Sequence, residues 1–162
     1  MRPIALAALL LPAALLAQAP SRDEAAVAAV LDDWHLAAAR ADETRYFDHL
    51  REGAVFLGTD ATERWTKAEF QVWAHPFFQR GRAWSFHAKT RRIAFSVDGR
   101  TAWFDETLDT PNLGPARGSG VLVKEQGRWR ITQYNLGVPI PNALMATFKA
   151  QIEAHLKAGA PK

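Results

Sequence analysis

The chain has 162 residues, with 20 Lys and Arg against 17 Asp and Glu, and it contains no cysteine. That length suits one domain, and the lack of cysteine excludes disulfides and thiolate metal sites. The small positive excess is dispersed, so nucleic-acid binding is not expected. Its densest basic run, Lys89-Thr90-Arg91-Arg92, is interpreted as a solvated strand face, with a small anion site as the alternative.

The first 19 residues have the layout of a secretion signal. Arg2 precedes an apolar run from Ile4 to Leu16, and Ala17-Gln18-Ala19 is a small-x-small cleavage site. The run is shorter than the ~20 residues that a membrane helix needs, and no twin-arginine pair precedes it. We expect export through the general secretory route to a periplasm or the medium, without a membrane segment in the mature form. A retained N-terminal anchor is the alternative.

Helical signals dominate the first half of the mature chain. A capping box at Ser21 and Glu24 begins a first helix that extends to about Arg40. A short helix over 42–50 follows it. A second capping box over Thr66-Lys67-Ala68-Glu69 begins a third helix, which Pro76 should kink or stop.

From Ala83 the apolar period changes to that of strands, and Asp98-Gly99 is a hairpin signal. The predicted strands are Ala54–Leu57, Trp84–Val97, Thr101–Asp109, Arg117–Glu125 and Arg128–Leu136. Asn142 can cap a last amphipathic helix, which would pack on its own domain or on a partner subunit.

Helices packed on one face of an antiparallel meander form a two-layer α+β domain, which we place at 20–142 with a C-terminal helix and tail at 143–162. A curved sheet would enclose a cavity between the layers, and such a cavity is the default ligand site.

Four segments resemble a known family: Phe56 to Trp65, Asp98 to Phe104, Gly118 to Val123, and Gly127 to Ile131 with Asn135 beyond it. They are similar to SnoaL-like domains of the nuclear transport factor 2-like superfamily, over about 23–142. The resemblance implies a cone-shaped α+β roll, with N-terminal helices on a curved, mainly antiparallel sheet that encloses a pocket, and often a homodimer through the outer sheet face. The superfamily includes ketosteroid isomerase, scytalone dehydratase and polyketide cyclases, and also binding and association modules.

Strand alternation nominates the residues inside the roll. On one strand Phe104 and Glu106 share a face with apolar neighbours, so burial should raise the pKa of Glu106 and suit it to acid/base work. His87 is its candidate partner, although strand parity places His87 opposite Trp84 and Phe86 unless a bulge intervenes.

Further candidates line the pocket and its mouth. If Trp129 and Ile131 face the helices, Gln133 and Asn135 bring polar groups into the cavity. The remaining pocket candidates are Trp34 and His35 on the first helix and Trp65, which is either a lid or a core residue. Asp60, Glu63 and Arg64 lie in the loop at the mouth, where Glu63 with Arg64 could clamp a ligand, or Glu63 or Asp60 could instead hydrogen-bond the turn.

Three functions stay open on the sequence. The first is binding of a small, largely apolar molecule in the pocket. The second is a cofactor-independent isomerase, dehydratase or cyclase that uses Glu106 with a pocket His or Tyr134, and the third is a dimeric association module. No metal or cofactor is expected, because histidine ligand spacing, phosphate-cradling glycine loops and dinucleotide fingerprints are all missing from the sequence.

Overall fold

The computed structural model describes residues 21–159, so the predicted signal segment lies outside the described residues. The helices are α1 (Arg22–Ala39), α2 (Glu43–Asp48), α3 (Lys67–Gln79) and α4 (Met145–Lys157), the last preceded by a 3-10 turn over Asn142–Leu144. The strands are β1 (Leu50–Leu57), β2 (Arg64–Thr66), β3 (His87–Phe95), β4 (Thr101–Asp109), β5 (Ala116–Glu125) and β6 (Arg128–Gly137).

The strands form one six-stranded sheet in the order β2-β1-β6-β5-β4-β3. Neighbouring strands are antiparallel except for β1, which runs parallel to β6. The predicted α+β class and the mainly antiparallel meander from β3 to β6 are therefore confirmed. The short strand β2 was not predicted, because three residues between a loop and a capping box carry too little alternation to be recognised.

Both capping boxes are present at the starts of α1 and α3, which satisfies backbone N–H groups that a helix leaves unpaired. α1 buries Val27, Leu31 and Trp34 against the sheet. α3 passes through Pro76 and ends at Gln79, so of the two expected effects, a kink or a stop, the stop does not occur. Pro76 and Val72, one turn earlier, are exposed, so water can solvate the carbonyl group that loses its helical bond.

Strand β4 alternates as the sequence predicts, with Ala102, Phe104, Glu106 and Leu108 buried and their neighbours outside. Strand β6 does not keep a single parity. The pairing with β5 skips Thr132, so this residue forms a β-bulge between Ile131 and Gln133.

The bulge in β6 reverses the face of every residue after it. Tyr134 and Leu136 are buried, whereas Gln133 is exposed and Asn135 only half-buried. The prediction that Gln133 and Asn135 enter the pocket with Trp129 and Ile131 is therefore wrong, because it assumed an unbroken period of two.

Strand β3 is shorter than predicted, because Trp84 and Phe86 precede it in irregular backbone. A register shift between Ala88 and Thr90 bulges Lys89 out of the ladder. His87 is exposed and lies opposite Asp109, while Arg91 lies opposite Glu106.

Helix α4 forms where the sequence places it, yet none of its residues is buried. Its apolar side chains, Met145, Phe148, Ile152 and Leu156, are between 39% and 71% exposed, so the helix is not packed into the domain core. Among residues 21–159, the structure has no helix that is both long and apolar enough to span a membrane.

An ion cluster joins α1 to the end of α2. Asp33 accepts hydrogen bonds from both Arg45 and His49. Its Oδ2 atom lies 2.9 Å from Arg45 Nε and 2.8 Å from His49 Nε2. These two partners, Arg45 foremost, lower the pKa of Asp33 to about 2 although partial burial acts in the opposite direction.

We expect Asp33→Asn to reduce the free energy of unfolding at pH 7. A carboxylate whose folded pKa lies below its unfolded value stabilises the fold above the unfolded pKa and loses that effect as the pH falls. The difference between wild type and variant should therefore shrink between about pH 4 and pH 2. Urea denaturation across that pH range measures the difference in free energy of unfolding, with Asp105→Asn as an exposed control. A difference between wild type and Asp33→Asn that does not change with pH would contradict the lowered pKa of Asp33.

Candidate functional site

An aromatic cavity of about 210 Å³ opens at one end of the sheet. Its walls come from the ends of β1 and β6, the loop between β1 and β2, strand β2 itself, helix α3, the segment before β3 and the loop after β4. The lining side chains are mostly aromatic or apolar: Phe56, Trp65, Phe70, Trp73, Trp84, Phe86, Leu113 and Leu136. Polar residues contribute less of the wall, and they are Thr59, Glu63, Thr110 and Asn112.

Glu63 is the one ionisable side chain among the described residues that line this cavity. Its Oε2 accepts a hydrogen bond of 3.1 Å from the Asp60 N–H group, and its backbone bonds the N–H group of Gly58. A Cβ atom at Gly58 would lie 2.2 Å from that Oε2 and 2.9 Å from the Cβ of Glu63, so the Glu63 side chain packs directly against Gly58. The loop therefore holds Glu63 in one place at the cavity mouth.

A buried ion cluster lies deeper between α1 and the sheet. Glu106 is fully buried, and its Oε1 is 2.8 Å from His35 Nε2. Its Oε2 accepts a hydrogen bond of 2.8 Å from Arg91 Nε; Arg91 Nη2 lies equally close but is not aligned to donate. Arg91 also donates from Nη1 to Asp32 and to the carbonyl of Ala28 on α1.

The partners of Glu106 decide its protonation. Burial is the largest single influence and acts to raise the pKa, but the hydrogen bond from His35, together with the guanidinium of Arg91, brings the pKa of Glu106 below its ordinary value. The expectation of a raised pKa is thus wrong, because it counted burial without the cationic partners. Glu106 is an ionised acceptor at neutral pH and directs the proton of His35 to Nε2.

Tyr134 lies beside this carboxylate. A Cβ atom at Gly118 would be 2.4 Å from the Tyr134 Oη and 2.9 Å from Glu106 Oε1, which shows how closely the two groups crowd that glycine. Burial, followed by the negative charge of Glu106, raises the pKa of Tyr134 well above its usual value. Tyr134 therefore stays a neutral phenol.

Phe86 separates the ion cluster from the aromatic cavity. Its ring borders the cavity and stands edge-on to His35, with 6.0 Å between the ring centroids. On its other side a groove of about 210 Å³ between α1 and β3 is lined by Asp32, His35, Leu36 and His87, among others. His35 thus borders the groove, while Glu106 stands behind it.

The predicted site residues do not form one site. Glu106 meets a histidine, but this is His35; His87 lies along the groove, and its strand position is opposite Asp109. Of the predicted pocket residues Trp65 lines the cavity, whereas Trp34 and Phe104 are 1% and 4% exposed in the core.

The residues predicted at the mouth have different positions. Glu63 faces the cavity, and Arg64 is exposed on β2. Asp60 Oδ1 accepts hydrogen bonds from the backbone N–H and hydroxyl groups of Thr62 and so stabilises the turn.

Sequence reasoning missed Arg91, which was interpreted as part of a solvated basic run. Counting the hairpin register outward from Asp98-Gly99 pairs Arg91 with Glu106, so the signal was available. Phe70 and Trp73 lie on helix α3 and line the cavity, and nothing local to the sequence distinguishes a core ring from one that borders a cavity. Within residues 21–159 the structure contains no group of three or more side chains placed to hold a metal ion.

Comparison with solved structures places this fold in the nuclear transport factor 2-like class. A protein from Streptomyces avermitilis, provisionally named a dehydratase of that class, superposes with a TM-score of 0.65 at 12% identity, over 76% of this chain and 100% of that one. A provisionally named aromatic ring hydroxylase from Novosphingobium aromaticivorans gives 0.63 at 17% identity, over 76% and 94%. At such identities these likenesses show the fold alone.

The family follows from the sequence. The model of the SnoaL-like domain matches residues 27–141, and the chain therefore belongs to that family. Comparison with curated proteins finds no match.

Glu106→Gln should lower the free energy of unfolding by about 3 kcal/mol, because it leaves the buried guanidinium of Arg91 without its buried counter-charge. Chemical denaturation at pH 7 measures this loss. Glu125→Gln is the control, since Glu125 pairs with Arg51 at the surface and should cost no more than about 1 kcal/mol. Equal losses in the two variants would contradict the structural role of Glu106.

Proposed function

We propose that the protein binds a small, largely apolar molecule in the aromatic cavity. The observation that carries this proposal is the wall itself, in which six aromatic side chains surround an open volume at the end of the domain. Aromatic rings that pack fully against one another would leave no such space, and concave apolar sites with a few polar groups are where small ligands bind.

The size of the cavity limits the ligand. Its 210 Å³ lies below the usual range of drug-sized sites and above the ~150 Å³ that accommodates a benzene molecule in an apolar cavity. A ligand with one ring, or an aliphatic molecule of similar volume, fits. Thr110 and Asn112 on the loop after β4 can hydrogen-bond a polar substituent of that ligand.

Acid/base catalysis is the second candidate, and the contact between His35 and Glu106 favours it. A carboxylate that holds one ring nitrogen fixes the orientation of the imidazole and leaves the other nitrogen as a possible base. That nitrogen has no protein partner among residues 21–159, and His35 borders the groove between α1 and β3. The reaction would be an isomerisation, dehydration or cyclisation of a molecule reaching His35.

Export and homodimer formation stay predictions. The signal segment supports the first, and the exposed apolar side of α4 is compatible with the second.

Trp73→Ala should weaken binding of a monocyclic apolar probe by about tenfold or more, because Trp73 lines the cavity. Since the Trp73 side chain is 41% exposed, its removal should leave the core intact. Fluorine NMR titration with 4-fluorotoluene measures the dissociation constant. Trp103→Ala is the matched control, since Trp103 lies on the other face of β4 and is 49% exposed. Absence of probe binding to the wild-type protein would refute the proposed function.

The catalytic candidate is tested with 5-nitrobenzisoxazole, whose ring opens when a base removes its carbon-bound proton. His35→Gln should reduce the rate of ring opening at least tenfold if His35 is the base. His87→Gln, which changes the other histidine of the same groove, is the control and should retain the rate. A wild-type rate no higher than that of His35→Gln would eliminate this candidate.

A further inference from the structure

We propose that the ligand of the aromatic cavity carries a positive charge, specifically an alkylated ammonium group. This inference rests on the proposed function and narrows it to one chemical class. It follows from two properties of the wall: the grouping of three tryptophans, and the sign of the charge that the described lining residues carry beside them.

The tryptophans form a connected group around Phe70. Trp65 and Trp73 stack on each other with 5.0 Å between ring centroids, and Trp84 is tilted against Trp73 at 6.3 Å. Phe70 stacks on Trp65 and Trp84 at 5.6 and 5.9 Å. Tryptophan offers the strongest cation–π attraction of the aromatic side chains, and clustered rings are how proteins recognise quaternary ammonium groups.

The charge of the wall has the matching sign. Glu63 contributes a carboxylate, and no Lys, Arg or His is among the described residues that line the cavity. Arg64, its neighbour in sequence, is exposed on β2 and so does not neutralise it within the cavity. A bound anion would face this carboxylate without a cationic partner, whereas a cation would be attracted to it.

The position of Glu63 is set by the backbone, which makes the carboxylate a fixed feature. Oε2 is held by the Asp60 N–H group, and the close approach of Gly58 determines where the carboxylate can lie. The hydrogen bond from Asp60 engages Oε2 only, so a neutral apolar ligand would desolvate the other carboxylate oxygen of Glu63 at a cost in free energy. An ammonium group placed between Glu63 and the tryptophans would compensate that cost.

The test compares two probes of the same shape. Choline and 3,3-dimethyl-1-butanol differ in that a quaternary nitrogen replaces a quaternary carbon, so only the charge distinguishes them. Dissociation constants are measured by NMR titration at matched ionic strength, on wild type, Glu63→Gln and the distant control Glu125→Gln. We expect choline to bind wild type about tenfold more tightly than the alcohol. Glu63→Gln should remove most of that preference, and Glu125→Gln should retain it.

The outcomes separate this inference from the proposed function. If the alcohol binds as tightly as choline and 4-fluorotoluene also binds, the cationic class is wrong and apolar binding stands. If choline is preferred but Glu63→Gln retains the full preference, the role of Glu63 is overturned. If choline, the alcohol and 4-fluorotoluene all fail to bind wild type, both proposals fail.

Discussion

The buried charge of Glu106 is the constraint on which the arrangement of the layers depends. A carboxylate without solvent must be paired, and its two partners come from different elements, His35 from α1 and Arg91 from β3. Arg91 continues to α1 through Asp32 and the carbonyl of Ala28. The ionic contacts therefore link α1 to both β3 and β4, alongside the apolar residues that α1 buries.

This alignment also divides the interior into two regions of different chemistry. On one side of Phe86 the described residues of the cavity wall offer aromatic rings and one carboxylate at the mouth. On the other side the groove between α1 and β3 is bordered by the buried His35 and the exposed His87. The depressed pKa of Glu106 makes it a positioning group for His35 and unsuited to act as an acid itself at neutral pH. Binding and catalysis, the two candidate functions, thus belong to neighbouring sites that share one ring.

Strand parity shows how far local pattern extends. Along β4 the alternation is regular, and it correctly placed Phe104 and Glu106 inside. Along β6 the bulged residue Thr132 turns Tyr134 inward and Gln133 outward. Side chains alternate between the two faces of a strand, so one inserted residue reverses the face of every residue after it. A bulge has no reliable sequence signature and depends on the pairing with both neighbouring strands, so this part of the site could not be derived from β6 alone.

The sequence by itself determined the capped helices, the hairpin at Asp98-Gly99, the α+β class and the family, because these depend on short-range hydrogen bonds and on the period of apolar residues. Only the tertiary structure decided which histidine meets Glu106 and which aromatic rings border a cavity. His35 and Glu106 are 71 residues apart in the sequence, and their contact joins α1 to β4. The aromatic residues of the cavity wall join α3 to β1. Their geometry depends on how the layers pack and where the strands bulge, and no local pattern carries that information.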